Sequence, residues 1–217
     1  MALEELASWE RERGWTLDSD ARERLETLVG LWLRYGAVMN LTGARTREEL
    51  LPQVRDGLDT AWIVRSHVGD SGQMRWLDFG SGGGFPALVV AAVGSWSMML
   101  MEPRQKRASF LELALGSIGR SSIGVRRARF DRSTWDKEAA NGFIGAVGPE
   151  ERVVSARAVW DPETWLSNGS HVVGTGGHVV LHLSASEPPE KFGAEAVASG
   201  ERGSVAVVRA GLDAESR

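Results

Sequence analysis

A chain of 217 residues, 42% hydrophobic and 25% charged, can bury one α/β core with an appendage, which excludes a disordered or fibrous protein. It has no cysteine and only four scattered histidines (His67, His171, His178, His182), so neither a disulfide framework nor a metal site is expected. The net charge of −4 is unlike a dedicated nucleic-acid binder, and no apolar run approaches the roughly 20 residues of a membrane span.

The charged, amphipathic start MALEELASWERERGW does not read as a signal peptide, so a cytoplasmic protein is expected, with no membrane partner and acting as a monomer. Asp18 or Ser19 can cap the first long helix, where Leu25, Leu28, Val29, Trp32 and Leu33 recur at helical spacing. After the polar break Asn40-Leu41-Thr42-Gly43, Thr46 with Glu49 has capping-box spacing. Apolar positions from Leu50 to Val68 predict one or two further helices, interrupted near Pro52 and Gly57.

From Met74 the texture changes to short strands alternating with helices. Strands are predicted at Arg75–Phe79, Ser97–Met101, Ile123–Ala128, Glu151–Ala156, His178–Leu183 and Ser204–Ala210. Helices are predicted at Pro86–Val93, at Arg104–Leu115 and after the cap-and-proline pair Asp161-Pro162. The segments Asp136–Gly148 and Ser184–Gly203 read as mobile loops. This alternation predicts an α/β fold, a mainly parallel, Rossmann-like sheet with helices on both faces. An N-terminal helical part (1–70) packs on a core domain (71–217).

The segment Leu77-Asp78-Phe79-Gly80-Ser81-Gly82-Gly83-Gly84-Phe85-Pro86 joins a strand to a helix. Glycines in such a turn permit positive φ and close approach of a ligand. Turns of this kind at the carboxyl edge of a parallel sheet bind nucleotide-like ligands. The spacing is Asp-x-Gly-x-Gly-x-Gly rather than the G-x-G-x-x-G of dinucleotide enzymes, which disfavours an NAD oxidoreductase. An acid at the strand end suits the ammonium of S-adenosylmethionine (SAM) better than a pyrophosphate. Glu102 ends the next strand about twenty residues on, where a carboxylate can accept both ribose hydroxyls. Phe130 and Asp131, after the third strand, are expected beside the adenine. The expected cofactor contacts are thus Asp78, Gly80, Ser81, Gly82, Gly84, Phe85, Glu102, Phe130 and Asp131. A surface role for Glu102 and a plain loop role for Asp131 are the alternatives.

Between Arg75 and Arg132 nine Lys/Arg face four acids, a local positive excess. It is either a solvated helix face with an edge strand or a phosphate-binding surface.

Asn40-Leu41-Thr42, Arg55 with Leu58-Asp59, Gly80-Ser81-Gly82-Gly83-Gly84-Phe85-Pro86, Lys106-Arg107 with Phe110-Leu111, Arg129 and Ser155-Ala156-Arg157-Ala158 run in one order over about residues 20–183. Together they resemble the RsmG (GidB) family, bacterial methyltransferases of guanine N7 in small-subunit ribosomal RNA. The resemblance implies a class I SAM-dependent methyltransferase fold, SAM as cofactor, and ribosomal RNA or the small ribosomal subunit as partner. It also implies catalytic roles for Arg157 and Asn40, and substrate contacts from Arg55, Lys106, Arg107, Arg129 and Arg157; the local charge excess adds Arg127 to the same surface. Lys106 and Arg107 are expected to point away from the cofactor. The bland alternative for Arg157 is an ion pair with Asp59 or Asp161. Three positions depart from the family: Asp56 replaces a His, Ala87 a Gly, and Ser184 a Lys. A methyltransferase of a small molecule, or a non-catalytic relative that keeps the fold, are the competing functions.

Overall fold

The computed structural model describes residues 3–135 and 139–211, and begins with three helices: α1 (Leu3–Arg13), α2 (Ser19–Met39) and α3 (Arg47–His67). Asp18 accepts the amide of Ala21 and Thr46 that of Glu49, so each caps a first turn whose donors have no partner within the helix. The stripe Leu25, Leu28, Val29 and Trp32 of α2 is buried, as its spacing predicts.

α3 differs from the expectation, because it runs unbroken through Pro52 and Gly57. Pro52 removes one helical bond near the start of the helix, but Leu50, Val54 and Leu58 around it are fully buried and hold the helix together. Gly57 is a crossing point. A Cβ there would lie 2.6 Å from Val89 Cβ, so the glycine lets α3 lie close against the helix carrying Val89.

The remainder alternates β1 (Arg75–Phe79), α4 (Ala87–Val93), β2 (Ser97–Met101), α5 (Gln105–Ser117), β3 (Gly124–Arg126), α6 (Ala139–Ile144), β4 (Arg152–Ala156), α7 (Pro162–Val173), β5 (His178–Leu183), β6 (Ala196–Gly200) and β7 (Gly203–Arg209). They form one sheet of order β3-β2-β1-β4-β5-β7-β6, in which β7 alone runs against its neighbours. Side chains alternate between two cores, as the strand period of two requires. Trp76, Val180, Val205 and Val207 face one core, whereas Leu77, Val179, Leu181, Ala206 and Val208 face the other. Residues of α1 to α5 fill the first core and those of α6 and α7 the second. The N-terminal helices therefore share a core with the sheet.

Several element boundaries shift by a residue or two, and three segments differ more. β3 is shorter than Ile123–Ala128, because the amide of Ala128 turns back to the carbonyl of Arg126. β4 starts at Arg152, because a 3-10 turn occupies Pro149–Glu151. The segment Ser184–Gly203, read as a mobile loop, contains a 3-10 turn at Pro189–Phe192 and the edge strand β6. Only Ala198 of β6 is buried, so no hydrophobic alternation marks the strand; pairing with β7 makes it. Of the other predicted loop, residues 136–138 lie outside the described residues, and Ala139–Ile144 is helical, with Ala140 and Ile144 in the second core. Among the described residues no helix is long and apolar enough to cross a membrane.

Gly57→Ala should lose stability despite a helix-propensity gain of about 1 kcal/mol. Overpacking a filled site costs about 1–3 kcal/mol, so a net loss of about 1 kcal/mol is expected in urea unfolding. Val89→Ala keeps the Cβ but removes the two Cγ contacts at 2.9 Å, so it should offset the Gly57→Ala loss in part in the double variant, whereas strictly additive losses would show that the helix crossing does not limit this position.

Candidate active site

The strand order reverses between β2-β1 and β1-β4, so the turn after β1 sits at a switch point, where open α/β sheets bind ligands. Gly80, Gly82 and Gly84 take φ of 68°, 57° and 92°, the left-handed region that disfavours other residues. The amides of Gly80 and Ser81 both donate to the carbonyl of Met101, which ties the turn to the end of β2. The N-terminal helical part grips the same turn. Trp32 Nε1 donates to the carbonyl of Gly83 at 2.7 Å, and its ring stacks on Phe85 with centroids 4.1 Å apart. A Cβ on Gly83 would fall 2.4 Å from the carbonyl oxygen of Leu41.

The turn, the ends of β1 and β2, and the segments after β3 and β4 enclose a cavity of about 630 Å³. Gly80, Ser81, Gly82, Phe85, Glu102 and Phe130 line it, as do Arg107, Arg129 and Arg157. Gly84 supports the turn from outside the lining, packed on Leu88.

Glu102 is only 3% exposed. Its Oε2 accepts the amide of Gly82 at 2.9 Å and its Oε1 that of Arg104 at 2.8 Å. Each carboxylate oxygen has a second lone pair free for a ligand hydroxyl. Phe130 forms an apolar wall, held edge-on by Phe79 at 5.3 Å.

Asp78 occupies a different place from the one expected. It lies beneath the turn, outside the cavity lining and 1% exposed. Ser155 Oγ donates to its Oδ1 at 2.6 Å and in turn accepts Trp76 Nε1 at 2.8 Å. Burial pushes the Asp78 carboxyl up to about 6, against the opposing hydrogen bonds of Ser155 and Ser81. Asp131 is also outside the lining; its exposed carboxylate accepts the amide and hydroxyl of Ser133.

The basic and catalytic candidates separate into three groups. Lys106 and Arg127 are exposed and outside the cavity. Arg107, expected to point away, is in the wall, because its guanidinium reaches back to the carbonyl of Asn40 at 2.9 Å. Asn40 itself is an exposed left-handed helix cap of α2, and only its carbonyl is engaged on this side. Arg55 stands apart from the cavity, bound to Ser8 Oγ at 2.9 Å and Glu201 at 3.2 Å.

Arg157 does reach the wall, and its ion-pair partner is Asp56, at 2.9 Å, rather than Asp59 or Asp161. Asp59 instead receives Trp9 and Arg13, and Asp161 caps α7. Burial raises the Asp56 carboxyl, but His182, Arg157 and Arg202 outweigh it and hold it below the usual range. Sequence reasoning overlooked Arg104, Gln53 and Trp160, which also line the cavity. Trp160 had a signal, because it follows the Ser155–Ala158 motif closely; Gln53 had none, since only the helix crossing brings it there.

A family model described as rRNA small subunit methyltransferase G matches residues 21–194. The Ribosomal RNA small subunit methyltransferase G of Myxococcus xanthus (strain DK1622) is 29% identical over 195 residues, covering 89% of this chain and 83% of the relative. That of Rhizorhabdus wittichii is 34% identical over 149 residues, 65% of each chain. An O-methyltransferase from Bacillus cereus, solved with SAH, superposes with a TM-score of 0.51 at 12% identity over 94% of this chain and 96% of that one. At that identity the superposition bears on the fold alone.

The raised pKa of Asp78 makes a pH prediction. Its folded value lies above the unfolded one, so its stabilising contribution is complete below about pH 3.8 and is lost as pH rises through about 6. Relative to Asp78→Asn, the wild type should gain roughly 2–3 kcal/mol of unfolding free energy between pH 8 and pH 4. Urea unfolding of both proteins at the two pH values measures this, and a constant difference would contradict it.

Proposed function

The chain belongs to the rRNA small subunit methyltransferase G family, and from that premise we propose that it methylates guanine N7 in small-subunit (16S) ribosomal RNA with SAM as the donor. The observation that carries the reading is the Glu102 carboxylate, held inside the cavity by the amide of Gly82. It joins the acid of one strand end to the glycine turn of another, and so builds a site for a ribose beside a backbone cradle.

The residues fit SAM. Gly80 and Gly82 keep the turn open, since a Cβ on Gly82 would project beside Arg107. Glu102 has lone pairs for two ribose hydroxyls, and Phe130 with Met101 offers an apolar slot for adenine. Asp78 acts from below by holding Ser155 and the strand ends in register. When bound, SAM supplies a methyl group already activated on a sulfonium sulfur.

The acceptor fits as well. Among the described residues, the cavity lining includes no His, Lys, Tyr or Cys, and its single carboxylate is Glu102. Both oxygens of that carboxylate already accept backbone amides, so it is placed as an acceptor for ligand hydroxyls rather than as a general base. Guanine N7 has an in-plane lone pair and needs no base, whereas a hydroxyl acceptor would need one. The chain's contribution is then alignment of acceptor and donor, a proximity effect. Arg129 and Arg104, exposed in the cavity lining, suit a polyanionic substrate. In this reading the chain works in the cytoplasm as a monomer, on the small ribosomal subunit or its RNA.

Tritiated SAM incubated in parallel with unmodified small subunits, naked ribosomal RNA and no RNA tests the function. Label in guanine of the RNA is expected; transfer to a small metabolite alone would refute it. Glu102→Ala should weaken SAM binding by about 1.5–3 kcal/mol, or roughly 10- to 150-fold in Kd. Glu102→Gln, which can still accept the Gly82 amide, should lose less. Unchanged SAM affinity in both variants, read by calorimetry, would remove Glu102 from the site.

A further inference from the structure

A second cavity, of about 280 Å³, opens at the carboxyl ends of β4 and β5. It shares Arg157, Ala158 and Trp160 with the cofactor cavity, so the two lie next to each other at these residues. Ala158 has a φ of 55°, unusual for a residue with a Cβ, and lies directly after the shared arginine. Trp160 stacks face to face on Trp165, with centroids 5.4 Å apart at 8°, and makes a flat wall common to both cavities.

The polar side of the second cavity is unfinished. Asp56 Oδ2, though 2.9 Å from Arg157 Nη1, has no well-aligned donor, and neither ring nitrogen of His182 has a hydrogen-bond partner. His182 Nδ1 is 3.8 Å from Asp56 Oδ1. Buried polar atoms without partners are rare in folded proteins and call for an explanation such as a ligand. The other charged groups of the lining are Arg202, from the β6–β7 turn, and Glu187, which is occupied by the amide and hydroxyl of Ser184.

We infer that the Asp56–Arg157 pair reads the Watson–Crick edge of the acceptor guanine, with Trp160 against its face. This rests on the guanine reading above and assigns the residues that choose the base. The donors and acceptors match. Guanine presents an acceptor at O6 and donors at N1 and the 2-amino group. Arg157 can only donate and an ionised Asp56 can only accept. Adenine presents the reverse order, a donor at its 6-amino group and an acceptor at N1, so the same pair repels it. The placement of the two neighbouring cavities also gives the right direction. N7 lies on the opposite side of the base from N1 and the 2-amino group, so a guanine whose far edge enters the second cavity turns N7 toward the first. The hold of His182, Arg157 and Arg202 on the Asp56 carboxyl keeps it ionised, as an acceptor must be. Neutral Asn at this position would keep the shape but lose one acceptor.

The test uses the full chain methylating unmodified small ribosomal subunits. Two short single-stranded oligoribonucleotides compete, identical except that one carries guanosine and the other inosine, which lacks only the 2-amino group. The wild type should need at least about 10-fold more of the inosine competitor for half inhibition, the scale of one hydrogen bond to a charged group. Asp56→Asn should bind both alike, with kcat/KM on the subunits lowered and SAM affinity unchanged by calorimetry. That unchanged SAM affinity shows that the variant is folded. Equal competition in the wild type, or a guanosine preference that survives in Asp56→Asn, would overturn the assignment. If the subunits accept no methyl group from the wild type, the RNA reading itself fails, and this assignment with it.

Discussion

The hydrogen bond from Trp32 Nε1 to the carbonyl of Gly83 is the constraint on which the site depends. Trp32 is fully buried, so its N–H must find an acceptor inside the protein or cost about 1–3 kcal/mol. The acceptor it finds is in the glycine turn after β1. That choice fixes the turn from the side of α2, while the carbonyl of Met101 fixes it from the side of β2. Held at both ends, the turn presents the Gly82 amide to Glu102. A flexible glycine sequence thereby becomes a rigid cradle, whose conformational entropy is removed by packing rather than by the ligand.

The N-terminal helices are consequently part of the site. Leu41 lies over Gly83, Arg107 is tied to the carbonyl of Asn40, and Gln53 on α3 reaches the cavity. Their apolar faces share one core with the sheet, so the helical part cannot shift without disturbing strand packing. The far hairpin is tied in as well. Arg13 of α1 donates to the carbonyl of Ser199 at 2.6 Å, and Arg55 of α3 pairs with Glu201. Arg55 thereby holds the β6–β7 turn, and so Arg202, beside the second cavity.

Four buried or nearly buried carboxylates near the ends of the strands have four different fates. Asp78 is deep and held by a hydroxyl, so burial dominates and raises it. Asp56 faces cations and is lowered. Asp59 is raised by burial in spite of Trp9 and Arg13. Glu102 is bound by two backbone amides at the cavity wall. What becomes of each carboxylate thus follows from what faces it: a hydroxyl, cations, an indole with an arginine, or backbone amides.

The elements with strong local signals were legible in the sequence. The caps at Asp18, Thr46 and Asp161, the stripe of α2, the buried strands β1, β2 and β5, and the acid–glycine turn all follow from local chemistry. Those signals were enough to expect a parallel sheet with a nucleotide-type site at one turn. The tertiary structure decided what local chemistry leaves open. Two acids equally suited to a ligand, Asp78 and Glu102, ended in different places, because side chains alternate along a strand: Phe79 at the end of β1 lines the cavity and Asp78 before it does not, whereas Glu102 directly follows β2 and turns back to the Gly82 amide. Arg55 and Arg157 read alike as cations, yet one ties down a hairpin and the other lines the cavity, because their partners lie 146 and 101 positions away in the chain. β6 has no pattern of its own and exists through its pairing with β7. Partners so distant in sequence leave no local trace, and they are what turned a recognisable loop into a shaped site.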